Sequence, residues 1–95
     1  MSEKEAYQQK LEGKLDEWKA DIDKLKAKAE QASADAKVEL EKQVNDLRGR
    51  QETAKTKLNE LRQAGDEVWE KLKGEAEKTW NDLGEAVKTA SSKFK

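Results

Sequence analysis

Apolar residues recur at steps of three and four along almost the whole chain, and no proline interrupts them. The stripe runs through Leu11, Leu15, Trp18, Ile22, Leu25, Ala29, Ala32, Ala36, Leu40, Val44, Leu47, Gln51, Ala54, Leu58, Leu61, Gly65, Val68 and Leu72. It continues through Ala76, Trp80, Leu83, Val87, Ala90 and Phe94. That spacing places all of them on one face of an α-helix. The remaining positions are mostly charged: 43% of the 95 residues are Asp, Glu, Lys or Arg, against 34% hydrophobic. A rounded core needs a larger apolar share. A narrow seam between long helices needs only about two buried positions in seven. The expected class is therefore all-α, a single helical domain in the form of a coiled coil or bundle.

Residues 11–36 fall into two heptad rows, Leu11, Trp18, Leu25, Ala32 and Leu15, Ile22, Ala29, Ala36. A second pair of rows covers 40–72, and the phase slips by one residue between the two sets. A continuous helix absorbs such a slip by local unwinding; a turn near 31–35 resets it. The segment Gln31-Ala-Ser-Ala-Asp-Ala-Lys37 has no Gly and three alanines, the strongest helix formers, which favours continuity. At Arg62-Gln-Ala-Gly65-Asp66 the signals reverse. Gly65 suits the left-handed closing position of a helix, and Asp66 suits the cap of the next one. The expected architecture is a helical hairpin: one helix over about 3–63, a turn at 64–66, and a second helix over about 66–93 folded back on the first. The alternative is a three-helix bundle with helices near 3–31, 35–62 and 66–93. The hairpin leaves the seam Leu11, Leu15, Trp18, Ile22 and Leu25 uncovered, and so predicts a homodimer or larger assembly.

After residue 65 the period becomes eleven: Leu61, Leu72, Leu83 and Phe94 repeat at that spacing, as do Trp69 and Trp80. Eleven residues make three turns of a nearly straight helix, whose apolar face does not spiral away. The face Trp69, Leu72, Ala76, Trp80, Leu83, Val87 and Phe94 is thus a candidate for contact with a neighbouring helix, another protein or a membrane surface. The blander role for the tryptophans is core filling opposite Ala29, Ala32, Ala36 and Ala54. Gln51 is the polar seam position; it either sets register or reaches solvent.

Chemistry is sparsely provided for. Cysteine and histidine are absent, which excludes disulfides, thiolate chemistry and imidazole catalysis. The acids around Asp16, Glu17, Asp21 and Asp23 each have a lysine within one turn and have the pattern of a solvated face. No catalytic residue, cofactor site or metal site is expected, and the chain is not expected to be an enzyme. Net charge is −1 with mixed signs throughout, so nucleic acid is not an expected partner. The opening Met1-Ser-Glu-Lys-Glu leads into no apolar run, and a cytoplasmic location is the default expectation.

The segments Met1-Ser-Glu-Lys-Glu-Ala-Tyr7, Asp16-Glu-Trp-Lys-Ala-Asp-Ile-Asp-Lys-Leu-Lys-Ala-Lys-Ala29, Trp80-Asn-Asp-Leu-Gly-Glu-Ala-Val87 and Ser92-Lys-Phe-Lys95 resemble small bacterial coiled-coil proteins of a stress-response family. The C-terminal third is also similar to the eleven-residue repeats of apolipoproteins and desiccation-protection proteins. The first resemblance implies a non-enzymatic bacterial protein; taken with the continuous stripe and the absence of catalytic side chains, it makes the expected function that of a self-associating coiled-coil protein acting in bacterial stress tolerance by contact. The alternative function is an amphipathic membrane-surface or partner-binding module that uses the C-terminal helix.

Overall fold

A computed structural model describes residues 2–94. They form α1 (Glu3–Gln31), α2 (Ala34–Gln63) and α3 (Asp66–Lys93), and no strand occurs among the described residues. The class is all-α, as the periodicity requires. Ser2 begins α1: its hydroxyl accepts from the Glu5 N–H at 3.2 Å, with Glu3 and Glu5 in the first turn. Ser2-Glu3-Lys4-Glu5 is a capping-box sequence, and both acids suit the positive end of the helix dipole.

The helix expected over 3–63 is divided at Ala32–Ser33. Ala32 (φ −83°, ψ 162°) and Ser33 (φ −61°, ψ 161°) are extended, and α2 starts at Ala34. The phase slip in the heptads is the sequence trace of this break. Alanine propensity is worth only tenths of a kcal/mol per residue, about 0.5 for Ser against Ala. Burying one Leu or Ile side chain is worth about 1.5–3 kcal/mol. Folding α1 back onto α2 buries Leu11, Leu15, Ile22 and Leu25 together, so packing outweighs local preference.

The second joint lies where the sequence places it, with different chemistry. Gly65 is the N-cap of α3, with φ −76° and ψ 171°. No described residue has positive φ, so the left-handed closing role expected for Gly65 is not used. Asp66 is the first helical residue rather than the cap; it still places a carboxylate in the first turn, with Glu67. Both joints are two extended residues, and each helix before them closes with an i→i−3 bond of 3.3 Å, Ala32 N–H to Ala29 O and Ala64 N–H to Leu61 O.

Ion pairs give the directions. Glu12 meets Arg62 and Asp23 meets Arg48, so α1 and α2 are antiparallel. Glu39–Lys93 (3.0 Å) and Lys57–Glu75 (3.4 Å) make α2 and α3 antiparallel. Glu3–Lys73 (3.5 Å) and Lys28 Nζ to Phe94 O (3.0 Å) set α3 parallel to α1. The Lys4 ammonium caps the Ala64 carbonyl at the end of α2, as Lys28 does for α3, each a cation at the negative end of a helix dipole. The molecule measures 51 × 19 × 18 Å.

The core is a single seam on which all three helices converge. Ile22, Leu25, Leu47, Leu61 and Leu83 are its largest fully buried side chains, and no polar or charged side chain among the described residues is buried. Gln51, the polar seam position, is only half-buried. Val68, assigned to the stripe, is 51% exposed, because the chain enters α3 at a new phase and Trp69 turns inward instead. Ala36 is likewise exposed at the start of α2.

Candidate functional site

The expected self-association seam and the expected C-terminal face meet each other. Leu11, Leu15, Ile22 and Leu25 of α1 join Trp69, Ala76, Trp80, Leu83 and Val87 of α3 in one buried cluster with α2. Leu72 and Phe94 are half-buried at its edge, as is Trp18. The stripe that called for a second copy is therefore covered by helices of the same chain. The tryptophans fill space as core residues, but Trp18 faces a glycine rather than an alanine.

α1 and α3 touch least, and between them runs a groove of about 420 Å³. Leu11 and Trp80 form its floor, and the Trp80 indole N–H donates to the Leu11 carbonyl at 3.0 Å. That bond satisfies the one polar atom of a side chain only 4% exposed. Trp18 closes one side by lying over Gly84: a Cβ built on Gly84 falls 2.9 Å from Trp18 Cζ2. Glycine is what allows this approach between α1 and α3. The rim carries Lys10, Lys14 and Lys88 with Glu77 and Glu85, charges of both signs around an aromatic floor.

Tyr7 stands at one end of the groove. Its ring is tilted 53° against Trp69 at 6.4 Å between centroids, and its hydroxyl donates to the Lys73 carbonyl at 3.3 Å. The Lys73 ammonium lies 5.3 Å from the Tyr7 centroid and 5.5 Å from that of Trp69, within cation–π range. Burial, with a smaller contribution from the nearby Glu77 carboxylate, pushes the Tyr7 phenol above its ordinary 10.0. Elsewhere the Lys93 ammonium holds the Glu39 carboxyl below its ordinary value, and Glu60 and Glu75 raise Lys57. Glu39–Lys93 and Lys57–Glu75 are surface ties between α2 and α3, whereas Lys57–Glu60 lies within α2.

Sequence reasoning missed two of these residues, of which only Tyr7 carried a local signal. Tyr7 lies four residues before Leu11 and extends the stripe by one helical step. Gly84 lies four residues after Trp80, but its partner Trp18 is 66 positions away, and no local signal pairs them. Among the described residues no group of three or more His, Cys, Asp or Glu is placed to hold a metal ion. Among the described residues no helix is long and apolar enough to cross a membrane. Comparison with protein-family models, with curated proteins and with solved structures finds no match to this chain.

Proposed function

We propose that this chain is a closed three-helix bundle that acts by contact rather than by chemistry, as a non-enzymatic protein of bacterial stress tolerance, and that the α1–α3 groove is its contact surface. The observation that carries this reading is the groove itself. It places aromatic surface from Tyr7, Trp18 and Trp80 between lysines and glutamates, at the helix pair that touches least. Such a site takes an apolar anchor side chain of a partner protein, flanked by charges of both signs. The stress role rests on the resemblance of the chain ends and the tryptophan segments.

A photo-crosslinking residue introduced at Lys14, in the groove, tests it against the same residue at Lys55, outside it. The expected result is a discrete protein adduct in stressed bacteria from position 14 alone. Equal labelling from both positions, or none from either, overturns the reading. In solution at low concentration the chain should have the mass of a monomer by light scattering.

The eleven-residue face of α3 favours a second reading, contact with a membrane surface. Trp69 and Trp80 are 7% and 4% exposed, so α3 has to leave the bundle before either meets lipid. Anionic vesicles should then co-sediment the protein and alter its tryptophan emission; no change removes this reading.

A further inference from the structure

We infer that the closed chain is one of two forms, and that a second copy of this chain exchanges α1 with it by straightening the Ala32–Ser33 joint. The inference is independent of what the groove binds.

The joint is built weakly. Only two residues are extended, and the Ser33 hydroxyl makes no capping bond to α2. Ala32 in the joint, and Ala29, Ala34 and Ala36 on either side of it, favour helix. Turning Ala32 and Ser33 to helical ψ joins α1 and α2 into one helix of about 90 Å at 1.5 Å per residue. α1 is then carried away from its own α2 and α3 and uncovers the apolar faces of both that it covered. A second copy opened in the same way offers an identical α1. Leu11, Leu15, Ile22 and Leu25 regain the same neighbours, now from the other chain, and the cluster that they complete is unchanged. The polar ties close in trans as well: Glu12 to Arg62, Asp23 to Arg48, Glu3 to Lys73, and Lys28 to the Phe94 carbonyl. Each contact occurs twice about a twofold axis, which closes the assembly at two chains.

The other joint does not open in the same way. Continuing α2 into α3 would place Gly65 inside a helix, where glycine is the poorest ordinary residue. The element exchanged is therefore α1. The one-residue phase slip opposes the straight form, so the closed form prevails in dilute solution and the exchanged dimer gains with concentration.

Two substitutions of one residue separate the forms. Ser33→Pro fits the closed joint: φ at Ser33 is −61°, Ala32 is already extended at ψ 162°, and the Ser33 N–H makes no backbone bond. The same proline prohibits the continuous helix. Ser33→Ala favours that helix and should raise the dimer–monomer equilibrium about fivefold, from its propensity gain at two joints. The expected result, by light scattering over a concentration series, is a dimer in the wild type, more in Ser33→Ala, and none in Ser33→Pro with its helix content intact. The chain has no cysteine, so single labels at Gln9→Cys and Gln63→Cys can be placed on separate copies and mixed after refolding. They should give a short-range distance only in the dimer. Absence of any dimer, or a dimer that survives Ser33→Pro, overturns the exchange.

Discussion

Gly84 shows how one missing methyl group sets the distance between two helices. Alanine outranks glycine in a helix interior by about 1 kcal/mol. At Gly13, Gly49 and Gly74 an added Cβ meets nothing within 4 Å, and substitution by alanine should raise the denaturation midpoint accordingly. At Gly84 the Cβ meets the Trp18 ring at 2.9 Å, and overpacking of that kind costs about 1–3 kcal/mol. Gly84→Ala is therefore expected to lower the midpoint, and to raise it again in a Trp18→Leu background; a rise in both backgrounds refutes the contact. Tyr7 offers a second check, because it is the only tyrosine. Its phenol ionises less readily in the folded chain than in the unfolded one. Its contribution to stability is complete below the ordinary 10.0 and is lost as pH rises through the folded midpoint. Absorbance titration should place that midpoint above 10.0, and Glu77→Gln should remove only the smaller part of the displacement, since burial is the larger cause.

At the scale of the element, the joints differ in how much side-chain support they receive. α1 has a side-chain cap from the Ser2 hydroxyl, whereas α2 and α3 begin without one. Gly65→Asp supplies the missing acceptor and a charge at the positive end of α3, and should stabilise by about 0.5–1 kcal/mol. Gly65→Ala should change little: its φ of −76° suits alanine, and the loss of capping preference nearly offsets the gain from a less flexible unfolded chain. A shift above 1 kcal/mol for Gly65→Ala, read from chemical denaturation, would contradict this joint. A second lesson lies in the lysines that cap carbonyls of other helices. Lys4 and Lys28 are paired with Ala64 and Phe94 across more than half the chain, and nothing local marks them for that role.

For the whole molecule, a seam this narrow makes each large core residue count. Ile22→Ala removes a side chain 1% exposed at the meeting of the helices and should cost about 2–5 kcal/mol, a large share of the stability of a small domain. The thermal midpoint should fall far more than for Val38→Ala, whose side chain is 54% exposed. Scattering from dilute solution should give a radius of gyration near the 15.3 Å of the Cα atoms, increased slightly by side chains and hydration. A chain with one helix of about 90 Å would give a markedly larger value.

Helical class, most of the buried seam positions and the joint near Gly65 were legible locally, because three- and four-residue steps and a glycine between two periodic runs are properties of neighbours in sequence. The division at Ala32–Ser33 was not, since the alanines there favour helix and only the long-range burial of Leu11, Leu15, Ile22 and Leu25 overrides them. The same holds for the groove. Tyr7, Trp18, Trp80 and Gly84 have their meaning from the crossing of α1 and α3, a contact between residues more than 60 positions apart. Periodicity states which face of a helix must be covered; which helix covers it is set by the total apolar area that each arrangement withdraws from water.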